Sequence, residues 1–262
     1  MRITDKKYFN EYLNIIGKNI PTLIDKFDFS KNAGDFSYLT KTSAIYSSNI
    51  EGNTVDLNTF MNYELTKKKF RPTKEIEEIE DLVKAYEFAQ SNTLSEVNLL
   101  KCHQILSKTL LIKIKRGHYR EEPVGVFGKA GLVYLAVEPE FVDKEMRLFF
   151  DDINLMISNQ LSIAEVFYFA SLIHLKFVHI HPFMDGNGRA ARILEKWFIA
   201  EKLGNEFWKI PSEEFYKNNQ AEYYSAIDLG VNFYEIDYDK SLAFLKLLPN
   251  CLIQEEKNNS LN

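Results

Sequence analysis

One run, His181-Pro182-Phe183-Met184-Asp185-Gly186-Asn187-Gly188-Arg189-Ala190-Ala191-Arg192, gathers a base, an acid, two glycines and two guanidinium groups within twelve residues. His181 has a side chain that titrates near neutral pH, so an imidazole fixed by Pro182 can take a proton from an attacking hydroxyl. Asp185 supplies a hard oxygen ligand suited to magnesium that bridges phosphates. Gly186 and Gly188 permit positive φ and close approach of a ligand to the backbone, and the N–H groups opening the next helix have no intrahelical acceptors. That combination predicts an anion cradle. Arg189 and Arg192 lie three apart on one helix face, where they can grip separate phosphates of a polyphosphate. The lysine-serine or lysine-threonine ending of a Walker loop is absent, so a different phosphate-transfer site is implied.

The rest of the chain must hold that loop between two helices. Its 262 residues suffice for one large domain or two small ones. Apolar residues recur at helical spacing near 5–16, 38–50, 57–68, 73–90, 95–110, 139–158, 162–179, 187–203, 212–229 and 239–254, which predicts a mainly α architecture in one compact unit. Asp56, Thr73 and Ser212 read as helix N-caps and Gly204 as a stop. Between Arg116 and Pro139, Gly117, Pro123, Gly125, Gly128 and Gly131 punctuate short apolar runs, which predicts a β-hairpin flap. Gly 11 and Pro 7 make only about 7% of the chain, against the usual ~12%, which disfavours turn-rich sandwiches. The net charge of −5 and the absence of a long basic block argue against a general nucleic-acid or anionic-membrane surface. Cys102 and Cys251 cannot form a disulfide framework and suit a reducing compartment. The start carries no apolar signal segment, and Leu161 to Ile180 reads as a buried helix, so a soluble cytoplasmic protein is expected. The tail from Gln254 to Asn262 is polar enough to fray.

The twelve-residue run resembles the signature of Fic-domain enzymes, His-x-Phe-x-(Asp/Glu)-Gly-Asn-Gly-Arg-x-x-Arg, with every specified position filled. The resemblance extends to Gly117-His118-Tyr119-Arg120, to the hairpin and to the helix containing Tyr223-Tyr224, covering roughly residues 95 to 235. It implies a Fic-type helical bundle that transfers AMP from ATP to a protein Ser, Thr or Tyr hydroxyl and releases pyrophosphate. His181 would be the general base, Asp185 the magnesium ligand, and Asn187 with the Gly186 to Gly188 backbone the phosphate cradle. Arg189 would contact phosphate, Arg192 would hold the γ-phosphate, and Phe183 would anchor the loop in the core. Gly131, Leu132, Val133 and Tyr134 resemble the flap that pairs with a target segment and covers the nucleotide. Tyr223 and Tyr224 resemble the adenine-side tyrosines, with Asn232 a further candidate one residue out of register.

A shorter match, Ser47-Ser48-Asn49-Ile50-Glu51-Gly52, resembles the family's inhibitory motif (Ser/Thr)-x-x-x-Glu-(Gly/Asn). It implies that Glu51 pairs with Arg192 and obstructs γ-phosphate placement, since a carboxylate and a phosphate compete for one guanidinium. Ser47, four residues earlier on the same face, would support that contact. The resulting division is an N-terminal helical region over 1–94 with the inhibitory motif, a catalytic core with flap over 95–205, and C-terminal helices over 206–262 that complete the nucleotide site.

Other readings stand beside these. His174, His179 and His181 could be read as a zinc cluster, although satisfied core histidines suit an apolar helix better. Cys102 and His103 are adjacent on a helix, do not face each other and read as core packing. The glutamates from Glu75 to Glu80, and Lys67, Lys68, Lys69 and Arg71, read as solvated faces. Rival functions are a phosphate transfer like that of the Doc branch, which usually carries lysine in place of Gly188, a hydrolase that removes AMP with Glu51, and a nucleotide-binding interaction module. The expected partner is a target protein with an acceptor hydroxyl, with the protein itself as one candidate; a homo-oligomer is compatible, and neither nucleic acid nor membrane is expected.

Overall fold

The computed structural model describes residues 2–27, 29, 36–66, 72–128 and 131–253. The basic patch at 67–71 and the tail at 254–262 lie outside the described residues. In chain order the elements are α1 (Phe9–Ile15), α2 (Ile20–Lys26), α3 (Phe36–Ile50), α4 (Leu57–Thr66), α5 (Lys74–Gln90) and α6 (Glu96–Leu106). The hairpin follows as β1 (Gly125–Gly128) and β2 (Gly131–Leu135), then α7 (Pro139–Ser158), α8 (Ile163–Ile180) and α9 (Asn187–Leu203). Four short helices close the chain: α10 (Ser212–Asn218), α11 (Gln220–Ile227), α12 (Leu242–Leu245) and α13 (Leu247–Asn250). The architecture is mainly α with one small antiparallel hairpin, as the sequence pattern predicts.

Helices α8 and α9 form the centre, packed against each other on either side of the signature loop. Helix α8 is mostly apolar and buried on nearly all sides, which fits an element surrounded by neighbours. It is long and apolar enough to cross a membrane, yet 89% of it is buried inside the fold, where it serves as the core helix. A capping box starts it, with the Ser162 hydroxyl accepting from the Glu165 N–H and the Glu165 carboxylate accepting from the Ser162 N–H. Helix α9 buries Trp197, Phe198 and Ile199 together with the polar Arg192, Glu195 and Lys196. Each fully buried large apolar side chain contributes on the order of 2 kcal/mol.

Three segments differ from their sequence period. The predicted helix over 212–229 breaks at Asn219 into α10 and α11, and Ser212 is the first helical residue behind Pro211 rather than the cap. The stretch from Asp239 onward is divided into a 3-10 turn, α12 and α13, with Pro249 inside the last. Helix α6 stops at Leu106. Gly204, at φ +112°, ends α9 as expected, and Thr73 caps α5 by accepting from the Ile76 N–H.

One turn beyond Arg192, Lys196 donates to Glu213 at 2.5 Å and to the Ser43 hydroxyl at 2.8 Å, joining α9, α10 and α3. Tyr86 of α5 donates to the same carboxylate at 2.7 Å. Both ions are essentially without solvent, so removing one strands the other. Glu213→Ala should lower stability by roughly 3–5 kcal/mol in urea denaturation. A loss below about 1 kcal/mol would show that the ammonium finds another partner.

Candidate active site

The signature loop is built by two left-handed residues. His181 ends α8 at φ +52°, and it is the one non-glycine residue with positive φ among the described residues. Gly186, at φ +81°, turns the chain into α9; a Cβ there would meet Leu106 at 2.9 Å. Between them Phe183 is fully buried, its ring stacked on His103 at 3.5 Å between centroids. Asn187 clamps the loop from inside: its Oδ1 accepts from the Phe183 N–H at 2.9 Å and its Nδ2 donates to the Phe183 carbonyl at 2.8 Å. Its side chain is thus committed to loop backbone, and the cradle consists of main-chain N–H groups. Helix α9 has no side-chain N-cap, and the Ala190 N–H, bonded to the Gly186 carbonyl, marks the start of its ladder. The preceding first-turn N–H groups have no acceptor inside the helix and stand at the positive end of its dipole.

Two residues outside the signature hold this loop. His103 accepts the Gly117 N–H at Nδ1 (3.0 Å), so its Nε2 carries the proton and donates to the Asp185 carbonyl at 2.9 Å. Burial pushes His103 down to about 4, which keeps it neutral in that role. Arg120 is buried and donates to the carbonyls of His181 (2.7 Å), Glu122 (3.1 Å) and Val137, tying the base of the hairpin to the loop. The adjacency of Cys102 to His103 concealed the histidine's contact, which spans 82 residues in sequence.

His181 lines a cavity of about 670 Å³ together with Glu51, Gly188, Tyr223, Tyr224 and the flap residues Val126, Phe127, Val133 and Tyr134. Its Nδ1 lies 3.2 Å from the Val178 carbonyl, a contact that requires N–H on Nδ1 and leaves Nε2 as the acceptor. Burial is the main cause that pulls His181 below its ordinary value, so it is neutral at pH 7. A larger cavity of about 870 Å³, between Gly117–Arg120 and the start of α7, contains none of the signature's base, acid or cradle groups.

Arg192 is fully buried and makes four contacts. Its Nε donates to the Ser47 hydroxyl (2.9 Å), Nη2 to the Ser47 carbonyl (3.0 Å) and to Glu51 Oε1 (2.7 Å), and Nη1 to the Tyr223 hydroxyl (3.1 Å). Glu51 follows the last residue of α3, and Gly52 at φ +97° turns the chain away immediately after it. Burial raises the Glu51 carboxyl, but Arg192, Arg189 and His181 together outweigh it and hold the group below its ordinary 4.5. The ion pair is therefore complete at neutral pH and is lost only as pH falls through that lowered value. Glu51 also occupies the space above Gly188, where a Cβ would meet its Oε1 at 2.3 Å.

The end of α3 is gripped from the other side. Lys217 donates to the Asn49 carbonyl at 2.9 Å, and Gln220 and Tyr224 donate to the Ile50 carbonyl at 2.8 and 2.9 Å. Arg189 pairs with Glu78 of α5 at 2.6 Å, so that glutamate is not part of a solvated face. Its Nε is buried with no partner among the described residues, a free donor beside the cradle that suits a phosphate oxygen. Asp185 keeps about half its side chain exposed, with Oδ1 accepting the Gly186 N–H at 2.6 Å. One exposed carboxylate fits magnesium that takes its other ligands from phosphates and water. Among the described residues no cluster of three or more His, Cys, Asp or Glu could hold a metal alone. His174 and His179 are buried and hydrogen-bonded, and burial pushes His179 down to about 4.

In the flap, Gly131, Leu132 and Val133 are exposed, while the Tyr134 hydroxyl donates to the His179 carbonyl at 2.6 Å. Asn232 lies outside the cavity lining; its Oδ1 accepts the N–H groups of Tyr234 and Glu235 and caps a 3-10 turn. Glu51→Ala would leave Arg192 buried without its carboxylate. It should cost roughly 2 kcal/mol of stability, and tripolyphosphate should raise the melting temperature more in this variant than in the wild type. Equal shifts would mean that Glu51 and the anion do not share Arg192.

Comparison with known proteins agrees with this geometry. Residues 93–199 match the model of the Fic/DOC family. A protein adenylyltransferase Fic from Nematostella vectensis is 32% identical over 160 residues, which is 57% of this chain and 35% of the relative. The chain thus spans about a third of that relative's length. A namesake from Drosophila virilis is 65% identical over 26 residues, 10% of this chain and 5% of its own. Among solved structures, a Fic family protein from Desulfovibrio desulfuricans superposes with a TM-score of 0.76 at 21% identity, covering 95% of this chain and 74% of that one. Fic-1 from C. elegans gives 0.68 at 18% identity, covering 93% and 71%. With the signature loop, its hairpin and its helical frame in place, residues 93–199 match a Fic/DOC domain, and the chain has the fold of solved Fic-family structures.

Proposed function

We propose that this protein moves AMP from ATP to the hydroxyl of a Ser, Thr or Tyr side chain on a protein, with Glu51 as a built-in brake. The observation that carries the reading is the meeting in one cavity of a neutral His181 and a carboxylate seated on the buried cation Arg192. The adenylyltransferase name of the Nematostella relative supports the same chemistry. Gly188 favours AMP transfer over the phosphate transfer of the Doc branch, because it keeps the cradle open to the backbone.

In this reading the polyphosphate lies against the first turn of α9, with Arg189 on one phosphate and Arg192 on the last. The acceptor oxygen bonds the α-phosphorus while its proton passes to Nε2 of His181. The bond from that phosphorus to the bridging oxygen breaks, and pyrophosphate leaves with the electron pair. Asp185 would hold magnesium, which when bound offsets negative charge on the phosphates. Tyr223 and Tyr224 would flank the adenine side, and Gly131 to Tyr134 would receive the target segment as an added strand. The target is a protein with an accessible hydroxyl, and this protein's own chain is one candidate.

While Glu51 occupies Arg192, the γ-phosphate lacks its cation and ATP settles in a poor geometry for attack. Glu51 shares the cavity with His181, which also suits a carboxylate that orients water for AMP removal.

His181→Ala should abolish transfer and leave ATP binding intact. In the Glu51→Gly variant the rate should climb with pH through a value below the ordinary imidazole 6.5 and then level off. Near wild-type transfer by His181→Ala, or an acid limb above 6.5, would sink the base assignment. Glu51→Gly itself should raise self-modification, read as added AMP mass on the intact protein, and Arg192→Ala should cancel that gain. If neither protein gains AMP but both strip it from modified substrates, the hydrolase reading takes its place.

A further inference from the structure

Three of the four contacts that hold Arg192 come from α3 or the turn that ends it, the same segment that carries Glu51. The fourth comes from Tyr223 on α11, and it does not stop there. The Tyr223 hydroxyl lies 2.9 Å from His174 Nε2, and His174 Nδ1 lies 2.9 Å from Glu195 Oε2. Glu195 also accepts the Tyr216 hydroxyl at 2.9 and 3.1 Å. His174, Glu195, Tyr216 and Arg192 are 0% exposed and Tyr223 is 1% exposed, so solvent takes no part.

Donor counting sets the direction of this chain. A guanidinium only donates, so the Tyr223 oxygen accepts from Arg192 and its one O–H must go to His174 Nε2. His174 then carries its proton on Nδ1 and donates to Glu195, which as a carboxylate only accepts. The chain runs one way, from Arg192 on α9 through α11 and α8 and back to α9 one turn along. Burial keeps the Tyr223 proton in place by pushing that hydroxyl well above its ordinary value. Each bond polarises the next, which strengthens Tyr223 as an acceptor for Arg192.

We propose that Glu195 and His174 are positioning residues which, through the Tyr223 hydroxyl, fix the direction in which Arg192 presents its guanidinium to a terminal phosphate. This rests on the nucleotide reading above. The ring of contacts spans only α8, α9 and α11, so it keeps Arg192 aimed when the end of α3 moves and Glu51 leaves.

The test compares ATP with AMP, which lacks the terminal phosphates, by calorimetric titration in magnesium on the Glu51→Gly protein. That protein should bind ATP more tightly than AMP. Adding His174→Phe should reduce ATP affinity about tenfold, the weight of one hydrogen bond to a charged group, and leave AMP affinity unchanged. His174→Gln, whose amide oxygen can accept from Tyr223, should recover much of the loss. If His174→Phe does not fold, His174→Leu removes the same acceptor with a smaller apolar side chain. An unchanged preference for ATP in these variants, or an equal fall for both nucleotides, would overturn the relay and leave the function standing. No preference for ATP in Glu51→Gly itself would remove both.

Discussion

A guanidinium sealed from water is the constraint around which this protein is arranged. Arg192 sits at zero exposure in the middle of α9, and an isolated cation there would cost many kcal/mol. Its donors are spread over three partners, and each partner recruits an element. Ser47 and Glu51 bring the end of α3, Tyr223 brings α11, and behind Tyr223 stand α8 and Glu195. One turn further, Lys196 and Glu213 add α10 by the same logic. Helix α3 is thus fixed by buried charge at two successive turns of the central helix, and its carbonyl end is capped by Lys217, Gln220 and Tyr224.

The outline of this arrangement was legible in the sequence because its signals are local. Helical periodicity marks the long helices, and Gly117 to Gly131 mark the hairpin, since backbone freedom there depends on the residue itself. The short C-terminal helices were less legible: Asn219 and Lys246 divide segments whose apolar pattern continues across them. At the site, the base, acid and arginines could be named within one run of twelve residues. Their neighbours could not. Glu78 resembles any glutamate on a charged helix until Arg189, 111 residues away, is placed against it. Glu195 and His174 are likewise three-dimensional partners. Asn187 shows the converse, because its side chain spends both hydrogen-bonding ends on loop backbone and leaves the cradle to main-chain N–H groups.

Rigidity is distributed unevenly around the cavity. The signature loop is stacked, clamped and bonded on all sides by Phe183, His103, Asn187 and Arg120. The hairpin across from it keeps Phe127 at 72% and Leu132 at 55% exposure and is secured at its base by Tyr134 and Arg120. The cavity thus has fixed dipoles on one wall and an open hairpin on the other.

The missing side chain at Gly188 carries a consequence for what this position can tolerate. Its backbone angle suits any residue, so conformation alone does not demand glycine. What demands it is the volume above it, which Glu51 fills. A methyl group there would intrude on the Glu51 carboxylate and crowd the Arg192 guanidinium. Any side chain at position 188 therefore acts on the contact between Glu51 and Arg192 before it acts on the helix that carries it.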